Sequence, residues 1–224
     1  MLDPDIYFPL VTLHVVLFAY WLGGDFGVFV CSRYVARGDL PLAERLRFLD
    51  ALMTIDILPR TAIVLLPVVG TQLAAIRGSI DVPPRFVAGV WILGLAWLAL
   101  VWTIFRRRGT PQAVPLQRID VGFRIVLVAV LLGLAVSSLR GGEPVHEDWV
   151  ASKLLVYAGL LVVGLYLRGV ILTWRQGFAR IRAGETGPQV EALFADSLRR
   201  GNRAAFLFWT LIVTMAWLGI NKPL

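Results

Sequence analysis

The sequence predicts an all-α polytopic membrane protein: six transmembrane helices in one bundle, with both termini extracytoplasmic. Three observations carry this. The 224 residues are 58% hydrophobic with a mean hydropathy of +0.73, well above the apolar share of a soluble domain. The apolar residues gather in six runs, roughly 8–31, 53–76, 86–105, 125–139, 149–174 and 204–220, most of them near the ~20 residues that cross a bilayer core. The connections alternate in charge. Of the 22 Lys and Arg, 15 lie in the first, third and fifth connections and only 4 (Arg77, Arg85, Arg140 and Lys222) on the other side, with Arg60, Lys153 and Arg168 inside runs. Basic loops stay in the cytoplasm, so the first, third and fifth connections are placed there.

The first run follows Asp3 and Asp5 with no basic region ahead of it, so it is expected to persist as a span and not to act as a cleaved signal. Arg37-Gly38-Asp39-Leu40-Pro41 then leads into an amphipathic stretch with Leu42, Leu46, Leu49 and Met53 on one face. The second run carries Asp56 and Arg60. The third ends at Arg106-Arg107-Arg108, a topology determinant that also attracts anionic lipid. The fourth is the shortest. An acidic outer loop, Glu143-Pro144-Val145-His146-Glu147-Asp148, precedes the fifth, which holds Lys153 and Arg168. Ala183-Gly184-Glu185-Thr186-Gly187-Pro188 opens a second amphipathic stretch with Val190, Leu193, Phe194 and Leu198. Both stretches read as cytoplasmic helices that continue into the second and sixth spans, with an apolar face suited to the membrane interface. The chain thus divides into three hairpins, 1–76, 77–140 and 141–224, within a single integral membrane domain.

Composition and motifs exclude several classes. The net charge of +7 would suggest nucleic acid in a soluble protein, but here it follows membrane topology, so no nucleic-acid partner is expected. Cys31 is the single cysteine, which rules out an intramolecular disulfide or a CxxC site and points to packing. No GxSxG, HExxH, Walker or GxGxxG pattern occurs, and two histidines are too few for a dinuclear centre.

Ionisable residues inside the runs are the candidates for chemistry, because such groups are costly in hydrocarbon and face a bundle interior or a cavity. Asp25, Asp56, Arg60 and Arg168 fall at one depth near the cytoplasmic ends of spans one, two and five. Asp56 and Arg60 are four apart on one helix face and can pair. The four sum to zero charge, which suits a cluster that locks three helices together; the functional alternative is an anion, propionate or quinone-headgroup site, for which Arg is well suited. His14 and Lys153 lie in the outer half, their depths differing by roughly one helical turn. Apart from Thr12, span one offers His14 no obvious polar partner. An imidazole at that place could ligate haem iron, alone or with Lys153, and bis-histidine ligation would call on His146.

His14-Val15-Val16-Leu17-Phe18-Ala19-Tyr20-Trp21-Leu22-Gly23-Gly24 resembles the first-helix signature of the small HemJ-type protoporphyrinogen oxidases and the wider CopD-like membrane proteins: a His followed seven residues later by Trp and then small residues. Trp149-Val150-Ala151-Ser152-Lys153 resembles the later HemJ helix in which a Trp precedes by four residues the Lys paired with that His. The resemblance implies haem b ligated through His14, with Lys153 nearby, and a porphyrinogen-oxidising role. It covers core helices only. HemJ has four spans, and residues 77–140 form an additional hairpin between the two matching pieces.

Two readings follow. In the first, the chain is a haem b protein of a bacterial-type inner (cytoplasmic) membrane, an oxidoreductase acting in oxidation or electron transfer. His14 is then the metal ligand, and Lys153 a second ligand or a propionate or substrate partner. Tyr20 and Trp21 line the cavity, the polar cluster relays protons or holds an acceptor headgroup, and porphyrin or quinone, a second copy, or a partner membrane complex are the expected partners besides lipid. In the second, it is a non-enzymatic permease or an anchor subunit for a partner complex. Copper is the weaker cargo, since Cu(I) favours clustered Cys and Met and the chain has one Cys and three scattered Met.

Overall fold

Helix α1 (Pro4–Val35) packs along a seam that repeats every three or four residues: Leu10, His14, Leu17, Trp21, Gly24, Val28, Cys31 and Val35 are all buried or half-buried. This is the spacing at which one helix face meets a neighbour at a shallow crossing angle. It turns His14 and Trp21 inward. Tyr20 falls off the seam and its ring is 54% exposed, so it faces outward and does not line the interior, contrary to the sequence expectation. The structure, a computed structural model, describes residues 4–142 and 145–223; Glu143 and Pro144 of the acidic loop lie outside the described residues.

Beyond α1 the chain forms α2 (Leu42–Ile55), α3 (Ile57–Arg77), α4 (Pro84–Arg106), α5 (Ala113–Leu139), α6 (Asp148–Arg182) and α7 (Pro188–Asn221). With α2 and α3 taken together as 42–77, six helices are long and apolar enough to cross a membrane. Among the described residues the β-structure is one isolated bridge, Ile80 to Val145. That bridge joins the two outer loops. The Tyr7–Arg77 hydrogen bond and the Lys222 ammonium over the Trp149 ring bring both ends of the chain to the same face, as an even number of spans requires.

The first amphipathic stretch runs on into span two, as the sequence predicts, through one irregular turn at Asp56. Pro59 has no N–H and its ring would collide with the carbonyl four residues back, so the helix turns at Asp56 and restarts as α3. Pro67, inside α3, leaves the Ile63 carbonyl without its helical donor. The buried Tyr157 hydroxyl of α6 donates to that carbonyl at 2.6 Å and restores the bond from another helix. Gly24 admits Pro59 and Gly94 admits Val68: a Cβ at either glycine would lie 2.6 and 2.4 Å from those side chains, so α1–α3 and α3–α4 approach closely.

Two corrections concern the later elements. The fourth span starts at Ala113, twelve residues before the run read from hydropathy, and takes Arg118, Asp120 and Arg124 into the helix. The two amphipathic stretches do not lie flat on lipid: Leu52, Val190 and Phe194 join Val35, Val170, Trp174 and Phe178 in a second core. Helices α6 and α7 have 35 and 34 residues, about 52 Å each, so they run well past a ~30 Å hydrocarbon layer into that core. The buried Arg45 ties it together. Its Nε donates to the Val35 carbonyl at the end of α1, its Nη1 to Glu191 of α7, and its guanidinium lies 4.2 Å from the Phe194 ring centroid. Cys31 is half-buried against the same core, in keeping with a packing role. The hairpin 77–140 is not a packing unit. Helix α4 packs mainly on α3 and α5 mainly on α6, and the two touch each other little.

Candidate functional site

The outer site is built on α1, α3 and α6. His14 is placed by the α1 seam with its Cε1 against Gly70 of α3, where an added Cβ would lie 3.4 Å away. Its Nδ1 is buried and has no hydrogen-bond partner. Lys153 is its electrostatic neighbour. The Lys153 ammonium sits 5.2 Å from the Trp149 ring centroid and against Gly219 of α7. Trp149, four residues earlier on α6, is thus the platform for the lysine, and its own N–H is given to Glu147. His146 is exposed in the outer loop, its backbone N–H bonded to the Ser79 carbonyl, outside the packed seam that holds His14.

The inner site is a charge network. Arg60 pairs with Asp56 one turn away at 2.5 Å. Arg168 does not pair with either of the acids expected from the sequence but with Asp120, which is fully buried and also accepts from Arg124 Nε at 3.1 Å and from Trp97 Nε1 at 2.7 Å. Asp25 Oδ2 and the Trp21 N–H one turn earlier on the same helix are both buried without a well-formed hydrogen bond, and they face each other. Asp25, Asp56, Arg60 and Arg168 line one cavity of about 140 Å³ together with Arg124 and Trp21, enough room for several waters. The four residues grouped from depth alone are therefore joined by Asp120 and Arg124, three acids against three guanidiniums. The signal for the missing pair was present in the sequence: Asp120 and Arg124 have the same four-residue spacing as Asp56 and Arg60.

Between the two sites lies Trp21, two turns below His14 on the same face of α1 and packed edge-to-face on Phe208 at 5.8 Å. Its ring is part of the wall of the inner cavity. What the outer site offers chemically is a buried imidazole nitrogen with no partner among the described residues, a donor that suits a metal. Lys153, held over an aromatic ring, presents its cation on the same outer side of the bundle. Among the described residues there is no group of three or more His, Cys, Asp or Glu able to hold a metal ion.

Compared with known protein families, with curated proteins and with solved structures, the chain matches none of them. The class that the fold defines is a multi-pass, six-span all-α membrane protein in contact with lipid.

Proposed function

We propose that this membrane protein binds haem b through His14 and acts in oxidation or electron transfer in a bacterial-type inner membrane, with HemJ-like porphyrinogen oxidation as the closest reaction. The observation that supports it is the His14 imidazole, inside an apolar span, with a buried ring nitrogen that no described residue satisfies. Leaving such a group unpaired is costly, and iron ligation removes the cost. When bound, the haem supplies one-electron chemistry. The chain supplies the rest. His14 ligates, Lys153 on its Trp149 platform neutralises a propionate or an anionic substrate, and Trp21 separates the outer site from water in the inner cavity. The Asp25, Asp56 and Arg60 cluster holds protons and a polar headgroup on the cytoplasmic side.

The test is the reduced-minus-oxidised absorption spectrum of purified protein. A Soret band and a b-type pyridine haemochrome are expected, since no Cys-x-x-Cys-His sequence exists for covalent attachment. His14→Ala should abolish the band, Lys153→Ala should shift or weaken it, and His146→Ala should leave it unchanged. Protein that stays colourless after haem supplementation overturns the reading and favours a permease or an anchor subunit.

A further inference from the structure

A second, larger cavity of about 780 Å³ lies toward the cytoplasmic end, where α4, α5 and α6 diverge below α3. Five arginines line it, Arg60, Arg108, Arg118, Arg168 and Arg175, and no carboxylate does. Two of these are neutralised from outside the cavity, Arg60 by Asp56 and Arg168 by Asp120. The three at the rim are not fully used. Arg108 donates through Nη2 to Asp50 at 2.9 Å, while its Nη1 is buried with no partner. Arg118 and Arg175, both exposed, form no ion pair among the described residues. The remaining wall is apolar, and Val114, Ile125 and Leu172 both line the cavity and expose their side chains outward.

From this we infer that the cavity is a binding site for a phosphorylated anionic headgroup carried on an apolar tail. The charge argument is direct. Arg118 and Arg175, which have no counter-carboxylate among the described residues, together with the unused Nη1 of Arg108, match the multiple acceptor oxygens of a phosphate, which Arg binds in a bidentate fork. A basic pocket between spans on the cytoplasmic side is where an anionic lipid head is drawn. The tail argument rests on the sparse packing of α4 on α5, which leaves the wall open toward the bilayer. This site is at the opposite end of the bundle from His14 and does not depend on haem.

The experiment is titration of the purified full chain with long-chain phosphatidic acid, with phosphatidylcholine of the same chains, and with inorganic phosphate and diphosphate, read by native mass spectrometry and thermal shift. Phosphatidic acid should bind in preference to phosphatidylcholine. Arg118→Gln with Arg175→Gln removes two exposed, unpaired cations and should weaken that binding about thirtyfold without changing helicity. Gly169→Leu, at a cavity-lining glycine with open space around it, should fill the wall and weaken binding with every charge in place. Arg200→Gln with Arg203→Gln, at exposed arginines outside the cavity, should leave it intact. Protection by phosphatidic acid beyond that by diphosphate supports a ligand with an apolar tail; equal protection by diphosphate identifies a soluble phosphate and overturns the inference of a tail. The inference is overturned if the wild type shows no preference for phosphatidic acid and no protection by phosphate or diphosphate. It is overturned equally if the Arg118/Arg175 variant binds like the wild type, or if the Arg200/Arg203 control loses as much.

Discussion

Asp120→Asn isolates the value of one buried charge. Asn keeps an acceptor oxygen for Trp97 Nε1, now 2.7 Å from Asp120 Oδ1, so the indole stays satisfied. What disappears is the carboxylate facing Arg124 and Arg168, whose side chains are 5% and 20% exposed. Removing one partner of a buried ion pair typically costs ~3–5 kcal/mol, because the other charge is stranded. An interhelical hydrogen bond in a membrane bundle is worth on average only about 0.6 kcal/mol. The two magnitudes separate the explanations. For a chain of this size each kcal/mol moves the melting temperature by roughly 2–4 °C, so Asp120→Asn should lower it by on the order of 10 °C in detergent or nanodiscs. Adding Arg168→Gln removes one stranded cation and should recover part of the loss, a coupling that a double-mutant cycle reads. A melting temperature within about 2 °C of the wild type, or no recovery in the double variant, would refute the charge-compensation argument.

Tyr157→Phe should cost about 0.6–1.7 kcal/mol by orphaning the Ile63 carbonyl, and Pro67→Ala should offset it by returning a helical donor to the same oxygen; thermal unfolding of the single and double variants checks both. Gly94→Ala should destabilise the α3–α4 contact, where a Cβ would meet Val68 at 2.4 Å, whereas Gly89→Ala, with nothing within 4 Å, should be neutral in the same assay. Reporter fusions after Arg108 and after Arg182 should be cytoplasmic and one after Arg140 extracytoplasmic, and a cytoplasmic Arg140 fusion would overturn the orientation set by the loop charges.

The spans were legible because hydropathy over about 20 residues is a property of the local sequence. Span four was read short for a physical reason: Asp120 and Arg124 break the apolar run, and only their pairing with each other and with Arg168 makes them tolerable inside it. The irregular turn at Asp56 was hidden in another way. Pro59 marked it, but the run of apolar residues around it outweighed one proline in the hydropathy pattern. Depth along the helices grouped Asp25, Asp56, Arg60 and Arg168 correctly around one cavity. It could not assign partners, since those depend on rotation about each helix axis and on which helices are neighbours. Tyr20 shows the same limit. It adjoins Trp21 in sequence and sits on the opposite side of the seam.

The four-residue spacing of Asp56 with Arg60 and of Asp120 with Arg124 also bears on how the chain is assembled during synthesis. Each pair closes within its own helix as soon as that helix forms, before the later spans have been made. Each segment thus carries a paired dipole in place of two separate ions, which lowers the cost of taking those charges out of water. Arg168 has no such companion on its own helix. Its carboxylate, Asp120, is already seated in the membrane 48 residues ahead of it in the chain. Helix α6 thus supplies two ties to earlier spans at once, the Arg168 guanidinium to Asp120 of α5 and the Tyr157 hydroxyl to the Ile63 carbonyl of α3.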